Sequence, residues 1–289
     1  MISGKTMEIP NLMGRKEAKS AFREACKKLG IDGKRVEELC VYELTDGTRT
    51  STELGGWEAY FDGGMFVLRL FHIMAMLGAK NAYVLTTGEG HKKRENYSDI
   101  MHSLEKQVDV YSKYVKEHDV RLKFVANVPI LARFTKFMRM LHRLEKESAK
   151  NNGLTVYVLI NYSADWAYRT GALKKLPNAN VIIKHTKGQV NEGLWLPGKL
   201  HNNGFVYAQN GSSSRNWTDK ELVYFIAIML RSMIFHQGQQ YQKTYKKGEK
   251  ELIREMREKK MVFVHKKLFP KPTKRVVIFS NVGPEIYEF

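Results

Sequence analysis

The sequence holds two cysteines, Cys26 and Cys40, in 289 residues. They have neither metal-ligand spacing nor a surrounding cysteine framework, which excludes a disulfide scaffold and a cysteine-based zinc site and fits a reduced, cytoplasmic setting. No 18-residue apolar run occurs. The densest patch, 222–230, is too short to cross a bilayer. The opening "MISGKTMEIP" lacks the apolar stretch of a secretory signal. A P-loop, GxGxxG, HExxH, a zinc-finger spacing and an RNP-type sequence are all missing, and no serine–histidine–acid order suggests itself. No internal repeat or low-complexity linker interrupts the chain.

Acidic residues are also few. Lysine and arginine number 48 against 30 aspartates and glutamates, a net charge of +18. Such an excess favours anionic partners: nucleic acid, an acidic membrane surface, or phosphorylated small molecules. It is strongest over 243–275, where the charge also fits a solvated lysine-rich surface. Without a recognition motif, charge does not make a nucleic-acid binder, so nucleic acid is not the expected partner.

The chain is 43% hydrophobic, enough for one large α/β domain. Residues 15–29 place Ala18, Phe22, Cys26 and Leu29 on one helical face, and Gly30 stops that helix. Strands are expected at 40–44, 81–85, 120–128, 154–160, 180–184 and 204–208. Helices are expected at 58–77, 97–117, 129–150 and 218–236, the last capped by Thr218 with Glu221 three residues on. A charged helix at 246–260 and a strand-like "KRVVIFS" at 274–280 complete the chain. Strands that are near-continuous apolar runs, alternating with helices, predict an α/β fold: a mostly parallel central sheet of about six strands with helices on both faces. The expected division is an N-terminal helical segment (1–36), an α/β catalytic domain (37–240) and a basic helical C-terminal extension (241–289).

In open parallel sheets, ligand sites form beyond the carboxyl ends of the strands. There the sequence places Asp46, Gly47, Thr48 and Arg49; then Thr86, Thr87, Gly88, Glu89, Gly90 and His91; Asn127; Asn161, Tyr162 and Ser163; and Lys184, His185, Thr186, Lys187 and Gly188. Glycine turns and helix starts cradle anions, cations complement them, and a single aspartate can share Mg²⁺ with substrate phosphate oxygens. Taken singly, Asp46-Gly47 is also a common turn pair, Thr86 and Thr87 also suit a helix cap, Asn161 can satisfy local backbone, and Lys184 can be a solvated strand end. Their coincidence at successive strand ends points to a phosphorylated ligand.

The order of these motifs resembles the cis-prenyltransferases, the undecaprenyl diphosphate synthase superfamily, over residues 40–235. Asp46-Gly47-Thr48-Arg49 stands where the family carries aspartate-glycine-asparagine-x-arginine. "LGAKNAYVLTTGEG" is similar to its strand ending in serine/threonine-glutamate-asparagine. "VLINYSAD" matches its asparagine-tyrosine-glycine, "VIIKHTKG" its isoleucine-arginine-threonine with Lys184 at the arginine, and "NWTDKELVYFI" its tryptophan before the last long helix, with Trp217. Asn191 and Gly193 hold the places of the arginine-x-serine pair that binds isopentenyl diphosphate, and Thr48 replaces the asparagine. Aspartate-glycine-threonine-arginine resembles the tuberculosinyl transferase-like branch.

The resemblance implies an enzyme, a transferase of prenyl groups or a terpene synthase. It would ionise an allylic prenyl diphosphate of about C10 to C20 and pass the prenyl group to a non-isopentenyl acceptor or water. Asp46 and Arg49, with Thr87 and Glu89, would be catalytic, and Asp46 would hold Mg²⁺. Gly47, Thr48, Thr86, Asn161, Lys184 and Lys187 would bind substrate. Tyr60 and Tyr162 are candidates to stabilise the cation through their π-faces, or core aromatics. Phe66, Leu70, Ile73 and Met74 would wall a prenyl tunnel. Two alternatives stay open: chain elongation with isopentenyl diphosphate, and a non-catalytic subunit of the same fold. A homodimer, and peripheral membrane contact through the basic C-terminal region, are the expected associations.

Overall fold

The computed structural model describes residues 11–45, 53–185, 192–200, 206–210, 217–241, 264–280 and 283–289. Seven helices and nine strands are described: α1 (Arg15–Leu29), β1 (Cys40–Leu44), α2 (Gly56–Leu77), β2 (Asn81–Leu85), α3 (Tyr97–Glu117), β3 (Val120–Ala126), α4 (Val128–Leu131), α5 (Thr135–Ser148), β4 (Leu154–Ile160), α6 (Ala164–Thr170), β5 (Val181–Lys184), β6 (Val206–Asn210), α7 (Asp219–Tyr241), β7 (Val264–Lys267), β8 (Arg275–Ser280) and β9 (Gly283–Glu288).

The strands form one sheet in the order β3-β4-β2-β1-β5-β6-β8-β9-β7. The first six are mutually parallel. β8 runs antiparallel to both β6 and β9, and β7 is parallel to β9. The expected parallel α/β sheet with helices on both faces is therefore present.

Strand alternation divides the apolar side chains between the two faces. Val41, Ala82, Val84, Val156, Val181 and Ile183 pack in one large core with α1, α2, α3, α5 and α7. Cys40, Tyr42, Leu44, Tyr83, Tyr157 and Ile182 pack on the other face against α6 and the segment around Leu173 and Leu196. On this second face Tyr42, Tyr83 and Tyr157 occupy one register across three strands, and the rings of Tyr83 and Tyr157 stack at 5.0 Å. Helix α2 is long and apolar enough to cross a membrane by composition, but most of it is buried in the first core.

Local signals set several boundaries. Gly30 ends α1 in the left-handed conformation, φ 68°, where a side chain would be strained. Thr218 and Glu221 make the expected reciprocal cap on α7, at 3.2 and 2.7 Å. The helix expected over 129–150 is divided into α4 and α5. Phe134 closes back on Leu131 at 2.7 Å and lays its ring edge-on to Tyr97, so the break packs an aromatic against α3. Of the sixth strand expected at 204–208, the first two residues lie outside the described residues, and β6 is described over Val206–Asn210.

The C-terminal region departs most from expectation. Instead of a helical extension, its described residues supply β7, β8 and β9, which continue the main sheet. Val276, Ile278, Tyr287 and Phe289 enter the large core, and buried apolar surface outweighs the high charge of the neighbouring residues. The helix expected at 246–260 lies outside the described residues.

Candidate active site

Four adjacent strand ends, those of β4, β2, β1 and β5, form the middle of the carboxyl edge. β1 ends at Leu44, flanked in register by Leu85 of β2 and Lys184 of β5. Asp46, Gly47, Thr48 and Arg49 follow within five residues. They lie outside the described residues, as does Lys187.

The loops after β2 and β4 are stitched together. Thr86 donates both its N–H and its hydroxyl to the carbonyl of Leu159, at 3.0 and 2.8 Å. Fully buried Thr87 accepts the Asn161 N–H on its Oγ1 at 2.8 Å, and its carbonyl accepts the Tyr162 N–H at 2.9 Å. The Tyr162 carbonyl accepts the Glu89 N–H at 2.8 Å. Both threonine hydroxyls, expected to be catalytic at Thr87 and substrate-binding at Thr86, are thus occupied in holding the edge together. Asn161 has φ 50°, the only positive value at a non-glycine among the described residues, and its side chain bonds the Tyr97 hydroxyl.

Glu89 is the half-exposed end of this arrangement. Its carboxylate accepts from Lys92 at 3.0 Å and from the Ser163 hydroxyl at 2.8 Å. Lys92 above all, then Ser163, holds its pKa below the ordinary carboxylate value. Lys184 is half-buried at the end of β5, and burial lowers its pKa.

The other expected residues fall apart from these. Tyr60 lies on the α2–α3 seam, where Asn96 donates to its hydroxyl at 2.7 Å. Phe66, Leu70, Ile73 and Met74 are all buried in the core built on α2. Tyr162 belongs to the opposite face, its hydroxyl donating to the Trp195 carbonyl. Its ring therefore does not share a chamber with Phe66. Trp217 is buried beside Phe225 and Phe289 at the start of α7.

Three groups escaped the sequence reading as site residues. Tyr97 anchors Asn161. Arg69 of α2 donates to Asp219 and to the Trp217 carbonyl at 2.6–2.9 Å, fastening α2 to the start of α7. Glu43 is fully buried in β1 and bonds His185. Its signal was legible: an acid at the fourth position of "CVYEL" points to the same face as Val41.

No protein-family model and no curated protein matches the chain. Lavandulyl diphosphate synthase from Lavandula x intermedia, solved in complex with dimethylallyl diphosphate, superposes with a TM-score of 0.55 at 14% identity, covering 68% of this chain and 96% of that one. The chain has the cis-prenyltransferase fold. A probable undecaprenyl diphosphate synthase from Campylobacter jejuni gives a TM-score of 0.49 at 14% identity, covering 66% of this chain and 94% of that one.

Within this fold the described residues do not form a metal site by themselves: no three histidine, cysteine or acidic residues cluster among them. Glu89 already pairs with Lys92 at 3.0 Å. Asp46 is the remaining carboxylate expected at this edge.

Proposed function

We propose that the protein ionises an allylic prenyl diphosphate of about C10 to C20 and transfers the prenyl group to an acceptor other than isopentenyl diphosphate, or to water. The supporting observation is the juxtaposition at the carboxyl edge. The segment Asp46–Arg49 follows a strand lying between Thr86 and Lys184, and the apolar core built on α2 packs against one face of that same sheet. A diphosphate leaving group gathers negative charge as its carbon–oxygen bond breaks. Arg49, Lys184, Lys187 and the backbone at Gly47 are the groups to receive it, while the α2 face takes the hydrocarbon. Asp46 would hold Mg²⁺ together with diphosphate oxygens, and the ion when bound neutralises the departing charge.

The choice of acceptor rests on Asn191 and Gly193. Neither supplies the cation and hydroxyl that an arginine-x-serine pair would offer a second diphosphate. On this reading the protein would belong with the tuberculosinyl transferase-like branch. A cytoplasmic homodimer that touches anionic membrane through its basic C-terminal region belongs to the same reading.

The test is incubation with C10, C15 and C20 allylic diphosphates and Mg²⁺, with and without isopentenyl diphosphate. Diphosphate release without isopentenyl diphosphate is expected. Release only when it is added favours elongation. No release under any condition, with Asp46→Ala indistinguishable from wild type, favours a non-catalytic subunit.

A further inference from the structure

Glu43 and His185 form an acid–imidazole pair inside the apolar face that packs against α2. Their side chains are 0% and 3% exposed, and Nε2 of His185 bonds Oε1 of Glu43. The second carboxylate oxygen, Oε2, is buried with no hydrogen-bond partner, the only carboxylate oxygen in that condition among the described residues. The ring of Phe66 meets His185 edge-on, with centroids 5.3 Å apart. Strand alternation puts Glu43 on the same face as Val41, and its register neighbour Ile183 joins the same core.

A carboxylate in such surroundings is costly to bury, and a half-satisfied one more so. Well-packed apolar residues usually serve stability as well as a buried ion pair, or better. The pair is therefore poorly explained as a structural element. Its position suits chemistry. Glu43 is three residues before Asp46, and His185 follows Lys184 at the neighbouring strand end. Both are placed on the face proposed to receive the hydrocarbon.

We infer that Glu43 is a catalytic base whose Oε2 takes the proton released when the prenyl cation is quenched by a hydroxyl acceptor, with His185 as its positioning residue. This rests on the function proposed above. The allylic carbon–oxygen bond breaks and its electron pair leaves on diphosphate. A lone pair of the acceptor hydroxyl forms the new carbon–oxygen bond. The acceptor's O–H bond breaks, its electrons stay on oxygen, and the proton passes to Oε2. It departs to solvent as product leaves. His185 holds Oε1 and so keeps Oε2 turned away from its own ring.

The experiment compares wild type, Glu43→Gln, Glu43→Ala, and the double variant Glu43→Leu with His185→Leu. The substrates are C10, C15 and C20 allylic diphosphates with Mg²⁺, in water and with added alcohols, reading diphosphate release, prenyl products by mass spectrometry, and melting temperature. Glu43→Gln is expected to lose about 10²-fold or more in kcat with KM little changed, the scale of general base catalysis. Formate, a small carboxylate, is expected to restore part of the Glu43→Ala activity. The double leucine variant should melt no lower than wild type and fail to turn over. Wild-type kcat in Glu43→Gln, or activity lost only in proportion to folded protein with no formate rescue, overturns the base while leaving the transferase reading intact. A wild-type protein that releases diphosphate from none of these substrates overturns both.

Discussion

The hydroxyl of Tyr97, in the first turn of α3, lies 2.8 Å from Nδ2 and 3.0 Å from Oδ1 of Asn161, just past the end of β4. Asn161 also gives its backbone N–H to Thr87, so one residue ties the β2 loop, the β4 loop and α3 together. It does so at φ 50°, a conformation asparagine tolerates better than most residues. Asn161→Ala loses the side-chain bonds and adds backbone strain, and should cost about 2–4 kcal/mol. Asn161→Gly loses the bonds but relieves the strain, and should be less destabilised by about 1 kcal/mol. Urea denaturation of the two variants checks the order, which reverses if the side chain at 161 matters only for packing.

The proposed leaving-group site makes a prediction at Asp46 and Arg49. Asp46→Ala should lower kcat for diphosphate release by about 10²-fold or more, on the scale seen when preorganised electrostatic stabilisation is removed. Arg49→Lys keeps the charge but loses the planar fork that pairs with phosphate oxygens, and should retain intermediate activity. Steady-state assays of pyrophosphate release separate the two. Equal activity in Arg49→Lys and wild type would mean that charge alone suffices there.

Gly64 gives a packing prediction. A β-carbon at this position would lie 2.3 Å from the side-chain amide carbon and oxygen of Gln107. The amide of Gln107 donates to the Tyr60 carbonyl at 3.2 Å and to Ser103 at 3.0 Å, so it is held in that place. Gly64→Ala should therefore destabilise by about 1–3 kcal/mol through overpacking of the α2–α3 seam. Adding Gln107→Ala removes the obstacle, and the double variant should be more stable than the sum of its parts predicts. Thermal melts of the four proteins close the cycle.

Much of the parallel sheet could be read from the sequence because its strands are buried on both faces and appear as short continuous apolar runs. The Thr218–Glu221 cap and the Gly30 stop were legible for the same local reason: each is decided by a few neighbouring residues. The break at 132–134 was not, because it depends on Phe134 finding Tyr97 across the fold. β7 and β9 were missed because charged residues break any apolar run in "VHKK" and "GPEIYE", and their place is fixed by pairing, β7 with β9 and β9 with β8. At the site, sequence listed the strand-end residues but could not separate Thr86 and Thr87, whose hydroxyls are taken up by hydrogen bonds across to the end of β4, from Glu89, whose carboxylate is half-exposed. Glu43 was passed over because an acid inside a strand draws attention only once its buried partner, 142 residues away, is known.

His118, at the end of α3, carries a pH prediction. Burial first, then the neighbouring His72 ring, lowers its pKa below the ordinary value of 6.5. The two rings stand 5.0 Å apart, and the tilted Tyr114 ring lies 4.4 Å from His118. As pH falls through 6.5, the unfolded chain binds a proton at this histidine before the folded protein does. The unfolded state then carries more protons, and stability falls. The loss begins near the unfolded value, grows until pH reaches the depressed folded value, and levels off below it. Above 6.5 both states are neutral at this site and the histidine contributes no pH dependence. Replacing His118 with Gln should flatten the part of the stability–pH curve just below 6.5 that this residue causes. Urea unfolding at closely spaced pH values, wild type against variant, reads the difference. A variant whose curve keeps the wild-type slope through that window would place the titrating group elsewhere.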